Sequence, residues 1–299
     1  MAYTMTADIS RMIVAGQKEI FNKNFEAFPV EYPSFTTEKT ATKETETYDS
    51  MGNLKAAEQK VEGDAINYGK VRQAYQTSIK NLTWANGYEV TLEATKYDLY
   101  GQINSIKANE LSRTMRELEE TNAVRWVDNA FTTNLADGVP LCSDSKPLLE
   151  VAGIFNDTLA TASTLTDPDN HKTMVKMFSA FKNHQGGPIK SYPTDGLTHS
   201  QNMLDIEEIY GSTNKANEFS NTKNVLPKIT WHYSTYMSDT NAWFMWDSKF
   251  EHILFQWYMK TAFDNDEDKI STKNLYLNAI AMYQTGALAN IGIVGNAGA

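Results

Sequence analysis

The chain has 299 residues, a formal net charge of −10 and a sequence pI near 5.1. At 41% hydrophobic it can bury a large core, which excludes wholesale disorder and fits two domains or one elaborate one. Its 27 basic residues are outnumbered by 37 acidic ones and no two basic residues are adjacent, so specific nucleic-acid binding, which needs Lys and Arg to displace phosphate counterions, is disfavoured.

The longest apolar run, AWFMW at 242–246, is far short of the roughly 20 residues that span a bilayer. No charged segment followed by an apolar one opens the chain, so secretion is not expected. Cys142 is the one cysteine, which rules out an internal disulfide framework and fits a reducing compartment. It is expected to serve as a small buried hydrophobe.

The first element, ISRMIVAGQKEIFNKNFEAF, spaces Ile9, Met12, Ile13, Gly16, Ile20 and Phe21 as a helix does, with Asp8 as N-cap and Pro29 and Pro33 ending it. It reads either as an amphipathic arm or as a helix packed on its own domain. Residues 36–64 then hold three large aliphatic side chains, Met51, Leu54 and Val61, among eleven charged ones. The threonines crowding the first half favour strand. MGN at 51–53 supplies a turn, and Gly63 and Gly69 supply bends. A two-stranded excursion with a loose tip is predicted, although an isolated hairpin without an apolar face is marginal in water and composition alone suits a disordered loop.

From Lys70 to Leu92 the pattern is strand, with Asn86-Gly87 predicted as a hairpin turn. The longest element spans about 97–134, with Leu99, Ile103, Ile106, Leu111, Met115, Leu118 and Trp126 on one stripe. Charged pairs are expected between Glu110 and Arg113, Arg113 and Glu117, and Arg116 and Glu120. Its 33 residues from Leu99 to Phe131 predict a rod of roughly 50 Å, suited to lying across a sheet, with a bundle helix as the alternative. In DGVPLCSDSKPLL at 137–149, Asp137-Gly138 makes a turn, VPLC a short strand, and Pro147 forbids helix at Lys146. A loop runs through Asp169, followed by a second helix over 171–184. After the GGP break at 186–188 come a short strand, a helix in NMLDIEEIYG, and strands in KITWHYSTYM, NAWFMWDS and EHILFQWYMKTAF. NLYLNAIAMYQTG and a small-residue tail close the chain. The fold class is α+β.

No constellation for chemistry emerges. The histidines at 171, 184, 199, 232 and 252 lack the spacing that puts two on one face for a metal, and a lone cysteine cannot build a thiolate zinc site. Asp264, Asp266 and Asp268 mimic half a calcium loop, but Lys269 replaces the glycine and Leu275 the bidentate glutamate. GIVGNAG at 292–298 has no helix after it to hold a phosphate. GLTHS at 196–200 lacks the nucleophile elbow. No catalytic, cofactor or metal residue is therefore assigned.

EGDAINYGKVRQAYQTSIKNLTW (62–84), the helix ending TNAVRWVDNAFTT (121–133) and the following DGVPLCSDSKPLL resemble the major capsid proteins of tailed bacteriophages. In that family a long helix runs into a DG-x-x-L-x-S-x-x-H-P-type stretch. Asp137, Gly138, Leu141, Ser143 and Pro147 match it, while Lys146 stands where histidine is usual. TNAWFMWD at 240–247 is similar to a strand in the family's second half. The resemblance implies the Hong Kong 97-type capsid fold: an N-terminal arm (1–33), an extended loop or E-loop (34–80), a peripheral domain (81–155, with returning strands about 250–286) and an axial domain (156–249, with the tail 287–299). It also implies a self-assembling, non-enzymatic shell protein of the virion, built of hexamers and pentamers in the host cytoplasm. Scaffolding, portal and decoration proteins are its implied partners, and the DNA is enclosed without sequence-specific binding. The arm begins almost at Met1, so no fused scaffolding segment is expected.

A polar, strand-prone hairpin that cannot offset its ordering entropy alone is ordered by lying on a neighbouring subunit. Lys39, Lys43, Glu44, Glu46, Lys55 and Lys60 are the residues expected to meet opposite charges there. The alternatives are an encapsulin-type nanocompartment with protein cargo and a cytosolic hydrolase using His199 or His232.

Overall fold

A long helix laid over a four-stranded sheet organises the protein. The computed structural model describes residues 6–66, 68–91, 93, 97, 102–214, 223–266 and 275–299. The first sheet has strand order β1-β10-β11-β4, with β1 at Thr37–Thr40, β4 at Leu82–Val90, β10 at Ile253–Asp266 and β11 at Leu275–Ala287. β10 and β11 form its antiparallel centre, and β1 joins in parallel, Thr37 opposite Leu254. Across this sheet lies α2, Gln102–Asp128. It buries Leu111, Met115, Val124 and Val127 against Phe255, Leu277 and Tyr283. Helix α1, Thr6–Ala27, packs beside it, with Phe21 tilted against Phe263 at 5.2 Å between ring centroids.

The second sheet has order β12-β9-β7-β8, with β7 at Asp195–His199, β8 at Thr230–Ser234, β9 at Trp243–Trp246 and β12 at Ile293–Asn296. All four residues of β9 are buried. Successive strand side chains point to opposite faces, so Trp243 and Met245 join one core and Phe244 and Trp246 the other. The longest apolar run in the chain is thus a strand covered on both sides. On one face sit α3 (Pro168–Ala180) and α4 (Met203–Gly211), which contribute Met174, Phe178, Ile206 and Ile209 to the buried residues. The other face meets the first core through Leu197 and Ile293. Between α2 and α3 the chain makes one short antiparallel pair, β5 (Lys146–Pro147) with β6 (Phe155–Asn156).

Several local expectations fail for stated reasons. Asn86-Gly87 is not a turn: β4 runs straight through it and pairs with β11 from Leu82 opposite Tyr283 to Val90 opposite Leu275. A side chain at Gly87 would put its Cβ 2.9 Å from the Leu277 carbonyl oxygen, so the glycine allows close strand approach. Asn86 donates to Thr114 Oγ1 of α2. The long helix ends at Asp128, short of residue 134, in a turn closed by the amides of Asn129, Ala130 and Thr132; Leu99 lies outside the described residues. Asp8 is inside α1, not its cap. VPLC forms only a bridge from Pro140 to Asn134. α3 starts earlier than predicted, at Pro168, because Asp167 caps it by accepting from the Asp169 amide, and it stops at Ala180, where Phe181 turns extended. Arg116 pairs with Glu119 at 2.7 Å, not with Glu120.

Candidate functional site

The excursion is present. β2 (Thr45–Met51) and β3 (Gln73–Lys80) form an antiparallel ribbon, Thr45 opposite Lys80 and Met51 opposite Gln73. MGN is not the tip but its neck, since the Gly52 amide donates to the Arg72 carbonyl at 2.8 Å. Beyond the neck every described residue of 53–66 and 68–73 is exposed. Leu54, Val61 and Ile66 are about 60% exposed and Tyr68 is 82% exposed. Burying those apolar side chains is the largest gain open to this segment, and its own subunit does not provide it.

The ribbon itself is tethered. Ile79 is buried over Gly286, where any side chain would collide with the Ile79 δ-methyl group. Buried Gln256 of β10 accepts from the Tyr48 hydroxyl at 2.8 Å and donates to Asn81 Oδ1 at 2.8 Å. At the neck, Asn53 Oδ1 accepts from the His184 amide, and Gln185 Nε2 donates to the Asn53 carbonyl. None of these anchors was visible in the sequence. A buried glutamine in a strand of aromatics was the one available signal.

Of the charged residues singled out above, four have partners in their own chain. Lys39 pairs with Glu251 at 2.6 Å, Glu44 with Lys80 at 3.0 Å, and Lys55 with Glu58. Glu46 accepts from the amides of Thr42 and Lys43, and the Thr42 amide is the first cause holding its carboxyl below the usual range. Lys43 and Lys60 form no ion pair among the described residues. The partnered side chains are well exposed, and exposed pairs are worth about 0–1 kcal/mol, so these pairs shape the surface more than they stabilise it.

A second arrangement ties the arm to the body. Glu120 accepts from the Glu31 amide at 2.7 Å and the Tyr32 amide at 3.0 Å. Burial is the first cause that raises its pKa to about 7. Arg116 bridges Glu119 and the Phe25 carbonyl, its guanidinium 3.6 Å from the centre of the Phe25 ring. Glu31 in turn holds Thr235 beside the second sheet.

For catalysis the geometry supplies little. Among the described residues no group of three His, Cys, Asp or Glu could hold a metal. His199 accepts from the Gln201 amide as a turn cap, and His232 is bound to Asp195 at 3.1 Å and stacked on Trp246. Cys142 is 1% exposed, and burial pushes its thiol up to about 12, so it is a core residue. Asp264 and Asp266 belong to β10, and Asp268 is outside the described residues. Within the glycine run 292–298, Ile293–Asn296 form β12 instead of a phosphate loop.

Known structures share the architecture. The cyanophage P-SCSP1u capsid aligns with TM-score 0.55 at 9% identity, covering 91% of this chain and 88% of that one. The mature capsid of bacteriophage PhiM1 gives 0.55 at 8%, covering 90% and 87%. A virus-like particle from Pyrococcus furiosus gives 0.56 at 10%, covering 94% and 97%. At such identities the likeness establishes the fold alone, which is the Hong Kong 97-like α+β capsid fold. No curated protein matches in sequence. A family model described as phage capsid protein matches residues 74–270, from β3 through α2 and the strands β7, β8 and β9 of the second sheet to the end of β10. With well over half of its length matched, and its fold that of phage capsids, the chain belongs to the phage capsid protein family.

Proposed function

We propose that this chain is the major capsid protein of a tailed bacteriophage, assembling into hexamers and pentamers that form an icosahedral head around double-stranded DNA. The observation that carries the reading is the excursion: its base is tied down by buried contacts, while its tip offers Leu54, Val61, Ile66 and Tyr68 to solvent. A neighbouring copy that covers the tip makes a heterologous contact, and such contacts propagate around a ring and close it. Repetition over a shell turns many modest contacts into avidity. Lys43 and Lys60 are the charges freest to meet a neighbour; Lys39, Glu44, Glu46 and Lys55 would first have to exchange partners.

In this reading the first sheet with α2 is the peripheral domain and the second sheet with α3 and α4 the axial one. The acidic balance suits enclosing DNA without gripping it. The role is structural, in the virion, after assembly in the host cytoplasm with scaffolding, portal and decoration partners. An encapsulin-type shell is less favoured, since the matching family is that of phage capsids. Replacing residues 54–69 by a short Gly-Ser linker should leave a folded monomer that makes no shells by electron microscopy and size exclusion. Normal shells from that variant would refute the assignment of the tip.

A further inference from the structure

β3 and β4 follow each other with only Asn81 between them, and one edge of this run changes partner there. The Asn81 amide still donates to the Glu44 carbonyl at 2.8 Å, but upstream the chain has turned away, with Ala41 bonded to Trp257 of β10. β4 keeps β11 on its other side. Gly87 stands opposite Asn278, and a Cβ at Gly87 would lie 3.1 Å from the Asn278 Cβ. So close an antiparallel pair is one without mutual hydrogen bonds. The Gly87 amide therefore points away from β11, and it donates to Asn86 Oδ1 at 2.9 Å.

The pattern alternates, so the amides and carbonyls of Thr83, Ala85 and Glu89 share that outward direction. Lys107 Nζ caps the Glu89 carbonyl at 3.2 Å. Thr83 and Ala85 are exposed, and no described residue hydrogen-bonds their outward groups. An open strand edge of this kind is a template for pairing with another chain.

The excursion tip has the complementary lack. Its described residues from Leu54 to Tyr68 form neither helix nor strand, so this backbone is open to pairing. Ile66 and Tyr68 stand two apart, on one face of any strand the tip forms, and could cover Leu82, itself 42% exposed. A chain cannot serve its own edge. β3 is eight residues long, which sets the tip roughly 27 Å from β4, and buried Ile79 and Gln256 fix the base of the ribbon.

We propose that the excursion tip of a second copy adds as a strand to the open edge of β4 at Thr83–Ala85. The inference rests on the shell reading above and names what receives the tip. Ladder hydrogen bonds supply the attachment, and the apolar side chains of the tip leave water in the same step.

The test places proline on the edge. Thr83→Pro and Ala85→Pro each remove an amide that points away from β11, so the unassembled chain should fold and melt as the parent does. Shell yield, by size exclusion and electron microscopy, should fall about tenfold or more. Should neither variant fold, disulfide trapping decides. Shells assembled from mixed Tyr68→Cys and Thr83→Cys chains, or Tyr68→Cys and Ala85→Cys for the neighbouring register, should give oxidised dimers that no single variant gives, since the native Cys142 is buried. Full shell yield from both prolines, or mixed shells without a tip-to-edge disulfide in either register, would overturn the strand addition and leave the shell reading standing. A parental chain that makes no shells overturns both.

Discussion

Lys146 and Asp137 form an ion pair at 2.9 Å with side chains 2% and 3% exposed. Removing one partner of such a pair strands the other charge in the interior and costs about 3–5 kcal/mol. Lys146→Met should therefore destabilise the unassembled chain by that amount, on the order of 10 °C in Tm, and Asp137→Asn should do the same by stranding the ammonium. The double variant should recover to within about 1–2 kcal/mol of the parent, because no charge is left unpaired and the introduced amide oxygen can still accept from the Val139 amide, as the Asp137 carboxylate does. The coupling energy in the cycle is then about 3 kcal/mol or more. Urea unfolding followed by tryptophan fluorescence measures all four chains. Single variants that cost less than about 1 kcal/mol, or a double variant equal to the sum of the singles, would show that the pair is not a desolvated one and defeat the reasoning.

Other perturbations probe separate parts of the structure. Glu120 has a folded pKa raised to about 7, first by burial, so its stabilising contribution is full below about pH 4.5 and lost as pH rises through 7. Relative to Glu120→Gln, the parent should lose stability between pH 5 and 8 by a few kcal/mol at most, and parallel urea midpoints across that range would count against it. His171, fully buried with its pKa lowered to about 4 by desolvation first, works in the opposite sense. Its contribution is present above pH 6.5 and lost as pH falls toward 4, about 1.4 kcal/mol per unit, and His171→Phe should remove that acid sensitivity, read as the change in midpoint from pH 7 to 5. At Gly295 a Cβ would sit 2.6 Å from Cys142 Sγ and 2.9 Å from the Phe244 ring, so Gly295→Ala should cost about 1–3 kcal/mol. Adding Cys142→Ala should restore only part of it, since Phe244 remains; full recovery of Tm would argue against the Phe244 contact.

Elements with a strong local pattern were legible without coordinates. The stripe through Leu111, Met115 and Leu118 marked α2, the aromatic runs around 243–246 and 253–263 marked β9 and β10, and the poverty of apolar residues in 36–64 marked the excursion. These follow from side-chain periodicity and from the need of apolar surface to leave water, both properties of short stretches of chain. Asn86-Gly87 shows the limit: its local preference is a turn, but the unbroken pairing of β4 with β11 from Leu275 to Tyr283 outweighs that preference. The same holds for Gln256 under the ribbon, for the Glu120 clamp on the arm connector, and for the pairing of Lys146 with Asp137. Each joins segments whose partners are chosen by the packing of sheets and helices. A polar side chain reads as surface until the fold closes over it, and only then does its burial set which hydrogen bond or charge it must find.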